Sequence, residues 1–172
     1  MKIAILGTVH PKGLEFLKEN ELEIVEVTNF NNQNLQEELK FVDAILLRTS
    51  RLDQDILRHC KNLKIISRHG VGYDNVDLDY LNKKKIALCI TSTSNAVSVA
   101  EHVMSFFLYL TKNLSLSDKL VKGGNFTQRS ELPNFFELYK KKLLIAGFGR
   151  IGKEVAKRCL CLLYTSPSPR DL

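Results

Sequence analysis

Glycines at 147, 149 and 152 frame the segment Gly147-Phe148-Gly149-Arg150-Ile151-Gly152, which follows the aliphatic run Leu143-Leu144-Ile145-Ala146. Between a strand and a helix, that spacing suits a pyrophosphate. The first glycine allows the tight turn, the second lets backbone approach the anion, and the third lets helix and strand pack closely, while the helix N-terminus offers unpaired N–H groups. The dinucleotide reading competes with a glycine-rich turn that serves packing alone. An acidic residue about 20 positions on, ending the next strand, would hold a ribose hydroxyl. Asp171 lies 19 positions after Gly152, but it follows Thr165-Ser166-Pro167-Ser168-Pro169-Arg170, and two prolines exclude a central strand. The choice between NAD and NADP therefore stays open.

A second group of residues suits a small carboxylate. Ser67-Arg68-His69-Gly70-Val71-Gly72-Tyr73-Asp74-Asn75 follows the apolar run 63–66. Its glycines expose consecutive N–H groups, which with Arg68 could hold a carboxylate through charge-assisted hydrogen bonds. Arg48, after the run 44–47, is a candidate of the same kind. The competing reading is a structural turn in which Asp74 and Asn75 cap the next helix and the arginines are solvated.

The elements that must position these residues alternate along the chain. Strands are expected at 2–6, 23–27, 44–47, 63–66 and 86–90, with helices entered at Pro11, around 35–39, at 53–60 behind an Asp53 cap, and at 77–81. Five strands joined by helical crossovers predict an α/β fold with a parallel, doubly wound sheet, and such sheets bind ligands beyond the carboxyl ends of their strands. After the polar loop Thr91-Ser92-Thr93-Ser94-Asn95 comes an apolar helix, 98–111, too hydrophobic all round to be exposed and so expected to be buried. A looser segment, 114–138, then leads to a new strand over 142–146. The domain boundary is expected between 92 and 98.

Composition narrows the class. The chain's 172 residues are 44% hydrophobic, which supplies one core and falls short of two complete ones. A net charge of +6 raises nucleic acid as a partner, but the basic residues are scattered or sit in the triplets 83–85 and 140–142 without interleaved aromatics. Cys60, Cys89, Cys159 and Cys161 form no CxxC pair and have no histidine at zinc-finger spacing, and the opening apolar run is too short for a signal segment. These features point to a reducing, cytoplasmic setting with no metal site. The longest apolar stretch, 103–110, is well short of the ~20 residues that cross a membrane.

Taken in order, Arg48-Thr49-Ser50, the stretch from Leu63-Lys64-Ile65-Ile66-Ser67-Arg68 through Val76-Asp77-Leu78, Asn95-Ala96-Val97-Ser98-Val99-Ala100-Glu101-His102 and the glycine turn at 147–152 resemble the D-isomer-specific 2-hydroxyacid dehydrogenases. That family includes phosphoglycerate dehydrogenase, hydroxypyruvate and glyoxylate reductases and formate dehydrogenase, and the resemblance runs from Met1 to about Cys159. It implies a flavodoxin-like substrate-binding domain over 1–94. Residues 95–160 would supply the hinge helix, a dimer arm and the first strand and helix of a Rossmann nucleotide-binding domain. The implied activity is NAD(P)-dependent hydride transfer at C2 of a small 2-hydroxy or 2-keto acid, of the phosphoglycerate or hydroxypyruvate/glyoxylate type. Arg48, Arg68, Val71 and Gly72 look like the wall of the substrate cleft, with Val71 also at the nicotinamide end. Gly147, Gly149, Arg150, Ile151 and Gly152 look like the cofactor turn. Residues 95–101 resemble the hinge, and Phe126 stands where many relatives carry Trp in the arm that reaches a partner subunit, which implies a homodimer.

The family's chemistry also needs an arginine that polarises the substrate carbonyl and a histidine with a supporting acid. The resemblance puts all three beyond the end of this chain, so no catalytic residue is expected here, and His69 and His102 read as structural. The family's substrate domain is normally completed by a returning C-terminal segment. The tail 161–172, Cys161-Leu162-Leu163-Tyr164 onward, has no counterpart and reads as foreign, its codons being compatible with a sequencing-library adapter, against the alternative of a natural short C-terminus. On this reading the chain binds NADH weakly or not at all and turns nothing over. The runner-up function is an NADH-sensing, corepressor-like regulator of the same fold. A stand-alone flavodoxin-like domain fits less well, because it would not need the second glycine turn.

Overall fold

The computed structural model describes residues 1–161, without the side chains of Phe126, Arg129, Glu131 and Cys161. The tail beyond, including Asp171, and the Phe126 side chain lie outside the described residues. The chain divides into two compact units, Met1–Ser94 and a second that begins at Asn95.

In the first unit the elements alternate: β1 (Lys2–Leu6), α1 (Pro11–Glu19), β2 (Glu23–Val27), α2 (Asn32–Glu38), β3 (Ala44–Leu47), α3 (Gln54–Leu57), β4 (Ile65–Arg68), α4 (Leu78–Lys84) and β5 (Ala87–Ile90). All pairings are parallel, in the order β2-β1-β3-β4-β5. This is the flavodoxin-like arrangement, whose strand order reverses between β1 and β3. Short polar side chains start the helices. Asn31 accepts from the Asn34 N–H at 2.8 Å, Asp53 from Ile56 at 3.2 Å and Asp77 from Tyr80 at 2.9 Å.

The sheet's two faces are unequal. Ala4, Leu6, Ile45, Leu47 and Ile66 have no solvent exposure and join Leu35, Ile56, Leu57 and Leu81 from α2, α3 and α4, with Leu39 just past α2, in one cluster. Right-handed crossovers put these three helices on one face and α1 alone on the other, because only α1 steps the opposite way along the sheet. On α1's side, Ser67, Ala87 and Cys89 are exposed although they sit on paired strands, and α1 itself buries no residue. At the base of the sheet the Asp43 carboxylate accepts from the Lys2 N–H at 2.9 Å and pairs with Lys64 at 3.0 Å, which holds its carboxyl below the usual carboxylate range.

Two local expectations change here. β4 is displaced from 63–66 to Ile65–Arg68, because Ser67 and Arg68, despite their polarity, pair with Leu46 and Leu47 on one side and Cys89 and Ile90 on the other. Arg68 is thus the last residue of a strand, held by the sheet. And α4 is capped by Asp77, not by Asp74 or Asn75; the Asn75 carboxamide turns away and donates to the Ser50 carbonyl at 2.7 Å.

The second unit contains α5 (Ala96–Thr111), α6 (Leu114–Lys122), a 3-10 turn (Phe126–Glu131) and α7 (Arg150–Cys161). A small core joins Ala100, Val155 and Cys159 with Val103, Met104, Phe107, Leu138, Leu143 and Ile145. α5 is not the buried helix its composition predicts. Only Ala96 and Ala100 are buried, while Phe106 is 52% and Leu110 69% exposed, because α7 covers one stripe and no described residue covers the rest. α6 lies within the segment expected to be loose; Leu114 and Val121, and Leu116 and Leu120, recur at helical spacing before Gly123 ends it. The expected strand at 142–146 is absent from the described residues. Leu143 and Ile145 turn inward and Leu144 is 78% exposed, the alternation of a strand, but no neighbouring strand is described in this unit to complete a ladder.

Candidate functional site

At the strand reversal of the first unit, the ends of β1 and β3 meet. Gly7 takes φ +113°, and a Cβ there would come within 2.9 Å of the Arg48 Cβ, so only glycine lets the two strand ends approach this closely. The Arg48 N–H donates to the Leu6 carbonyl at 3.0 Å and its guanidinium to the Thr8 carbonyl at 3.2 Å. One strand further, the His69 N–H donates to the Leu47 carbonyl at 2.7 Å, and the Thr91 N–H to the Gly70 carbonyl at 3.1 Å. Arg48 and the 68–72 loop are therefore anchored to the same sheet end.

Two features make this end receptive to an anion. Among the described residues, the Val71 and Gly72 N–H groups meet no acceptor, and neither Arg48 nor Arg68 is paired with a carboxylate. The Arg68 guanidinium folds back over Gly70, into the space a Cβ there would take, and donates to the His69 carbonyl at 3.0 Å; its Nε is sealed from solvent with no partner. Two cations without an ion-pair partner and two free N–H donors can hold a small carboxylate, beside an Asp74 carboxylate whose Oδ2 lies 3.6 Å from where a Gly72 Cβ would be. The expected residues Arg48, Arg68, Val71 and Gly72 all lie within this strand-end region. Sequence reasoning missed Gly7, Thr8 and Thr91. Their signal was positional, each following a strand end, but which strands are neighbours was not readable.

In the second unit, the glycine turn opens α7. Gly147 takes φ +95°, a conformation L side chains rarely adopt, and a Cβ on Gly152 would run into the Gly147 carbonyl oxygen. Gly149 faces open space, with nothing within 4 Å of its Cβ position. The Lys153 N–H donates to the Gly149 carbonyl at 3.0 Å, starting the helix. A strained first glycine, an open second and a third wedged under the turn fit a pyrophosphate laid across the start of α7, with Gly147, Gly149, Arg150, Ile151 and Gly152 as the residues that would hold it.

The histidines have other surroundings. The His102 ring packs on Phe106 at 4.2 Å, and His69 is exposed. No cluster of His, Cys, Asp or Glu among the described residues is arranged to hold a metal, and no described helix is long and apolar enough to cross a membrane. Cys89 is exposed on the bare sheet face, whereas burial pushes the Cys60 thiol up to about 11 and also raises Cys159. A thiol-specific reagent at pH 8 is therefore expected to label Cys89 well before Cys60 or Cys159, read by mass spectrometry of the digested protein.

The sequence profile of the D-isomer specific 2-hydroxyacid dehydrogenase catalytic domain matches residues 3–166, and the chain belongs to that family. The match runs past Cys161, where the sequence alone puts the start of a foreign tail. Among curated relatives, a D-3-phosphoglycerate dehydrogenase of Archaeoglobus fulgidus is 31% identical over 163 residues, covering 94% of this chain and 31% of the relative. A glyoxylate reductase of Pyrococcus furiosus is 30% identical over 165 residues, covering 91% of this chain and 49% of the relative. Among solved structures, D-lactate dehydrogenase of Aquifex aeolicus, complexed with NAD and lactic acid, superposes with a TM-score of 0.83 at 30% identity, over 96% of this chain and 50% of that one. The chain thus spans about a third to a half of the length of these relatives.

Proposed function

We propose that the two sites are the substrate and cofactor halves of an NAD(P)-dependent oxidoreductase acting on the CH–OH group of a small D-2-hydroxy acid, of the phosphoglycerate or hydroxypyruvate/glyoxylate type. The observation that carries this reading is the pairing of free Val71 and Gly72 N–H groups with two arginines that lack acidic partners, at the strand reversal where such sheets bind ligands. The names of the relatives, a phosphoglycerate dehydrogenase and a glyoxylate reductase, support the acid class. NAD bound to the lactate dehydrogenase supports the cofactor, NADP remaining open.

In this reading the Val71 and Gly72 amides grip the substrate carboxylate and fix C2, while Arg48 and Arg68 lower the cost of bringing the anion out of water. The nicotinamide, when bound, exchanges a hydride with C2. The glycine turn, through Gly147, Gly149, Arg150, Ile151 and Gly152, would hold its pyrophosphate. The working protein is a homodimer in a cytoplasmic setting.

On this reading the 172-residue chain by itself binds NADH weakly or not at all and does not turn over. Among the described residues no set of arginine, acid and histidine faces the carboxylate site, and the half of the sheet bearing Ser67, Ala87 and Cys89 is exposed. Purified chain mixed with NADH and glyoxylate or hydroxypyruvate is expected to leave the 340 nm absorbance of NADH unchanged, while oxalate, a small mimic of the substrate acid, shifts the Val71 and Gly72 amide resonances. Measurable reduction of either acid overturns the inactivity, and unshifted amides overturn the carboxylate site.

A further inference from the structure

We infer that Asn75 is a positioning residue for the carboxylate site: it clamps the loop carrying Arg48 to the loop carrying Val71 and Gly72, and so sets the gap in which the acid binds. The inference rests on the carboxylate reading above.

Three interactions join the two loops. The Asn75 Nδ2 donates to the Ser50 carbonyl at 2.7 Å, the Leu52 N–H to the Asn75 carbonyl at 2.8 Å, and the Asp77 N–H to the Leu52 carbonyl at 3.1 Å. Leu52 and Val76 face each other as an isolated parallel bridge, with Leu52 wholly and Val76 almost wholly buried. The clamp thus extends the β3–β4 pairing past the strand ends, through both loops. Within it, Asn75 supplies the one contact made by a side chain, and that contact lands two residues from Arg48 on one side and three from Gly72 on the other. Nothing else in the turn asks for asparagine here, because Asp77 caps α4.

The chemistry of the carboxamide fits this role closely. Its Oδ1 is sealed from solvent with no donor, so Asn75 leaves one polar atom unsatisfied in order to make the Ser50 contact. A residue kept only for stability gains little by that exchange, since an unmet buried acceptor costs as much as a typical hydrogen bond contributes. An aspartate has the same shape but would set a carboxylate oxygen against the Ser50 carbonyl, reversing the clamp from attraction to repulsion. An alanine removes the side-chain contact to Ser50 and the orphan acceptor, and leaves the two backbone hydrogen bonds in place.

The test titrates oxalate into the full 172-residue chain and follows the Val71 and Gly72 amides, together with hydrogen exchange at Leu52. Asn75→Asp is expected to weaken oxalate binding about tenfold and to speed Leu52 exchange by a similar factor. Asn75→Ala, milder for folding because it deletes the unpaired Oδ1, is expected to lose affinity in the same way, and it carries the comparison if the aspartate variant does not fold. Asp53→Ala removes the α3 cap, destabilises the neighbouring turn and is expected to leave oxalate affinity unchanged. Equal affinity in Asn75→Ala and the parent, or equal losses in Asn75→Ala and Asp53→Ala, overturns the positioning role. If oxalate leaves Val71 and Gly72 unmoved in the parent chain, the carboxylate reading fails instead, and the clamp stands or falls on whether Asn75→Ala speeds Leu52 exchange.

Discussion

Gly152→Ala is expected to release α7 from the second unit. The added methyl would occupy the position of the Gly147 carbonyl oxygen and come within 3.4 Å of the Ile145 Cγ2. Because the obstructing oxygen is backbone, no side-chain rotation relieves the clash; either the glycine turn opens or the first turn of α7 lifts. α7 contributes Val155 and Cys159 to a core that, among the described residues, has Ala100 as its other buried member, so there is little packing to absorb the shift. Overpacking of this kind costs about 1–3 kcal/mol, a large share of what a small core supplies. Gly149→Ala sets the comparison, since its Cβ would meet open space and should leave stability unchanged. Hydrogen exchange at Val155 and Ala156 reads the difference: protection should fall roughly tenfold or more in Gly152→Ala and persist in Gly149→Ala. Equal protection in both would mean that the third glycine does not wedge helix against turn.

Much of the first unit was legible because its signals are local. β1, β2 and β3 are short aliphatic or β-branched runs bounded by polar or turn residues, and they fall at the residues their pattern predicts. Asp53 caps α3 as its place before an apolar stretch implies. Local patterns failed where pairing decides the outcome. Ser67 and Arg68 read as loop because they are polar, yet their neighbours on β3 and β5 hold them in the sheet. Conversely, residues 142–146 have the alternation of a strand but no partner to pair with in the described residues, and hydrogen-bonding need, more than propensity, decides whether a strand exists.

The same distinction separates the site residues found from those missed. Arg68, Val71 and Gly72 belong to one continuous stretch of sequence whose residue types suggest anion binding on their own. Gly7 and Asn75 act across 41 and 25 positions of sequence, on Arg48 and Ser50 respectively, so their roles emerge only when β1, β3 and β4 lie side by side. The apolar helix α5 misled for a related reason. Its hydrophobic residues encircle it, and composition cannot say which stripe meets α7 and which stays uncovered.

The carboxylate site makes its strongest claim at Arg68, where affinity and stability should move in opposite directions. The guanidinium is half-buried, makes one hydrogen bond to a loop carbonyl, has no acidic partner among the described residues and leaves Nε unmet. A cation held this way is a poor stabiliser of the empty protein, because desolvation is not offset by a counter-charge. A bound acid supplies that counter-charge. Arg68→Met keeps the length of the stem and removes the charge, so its thermal midpoint should equal or exceed that of the parent, while oxalate affinity should fall by about two orders of magnitude, the scale for losing a charge-assisted contact in a shielded site. Arg48→Met, at a more exposed position, should cost less and be partly masked by salt, since exposed charges are screened within about 10 Å at 0.1 M. Titration by NMR at two ionic strengths beside a melting curve separates the two arginines. If Arg68→Met melts well below the parent and binds oxalate as before, Arg68 belongs to the scaffold that shapes the loop, and the anion is held by the Val71 and Gly72 amides with Arg48 alone.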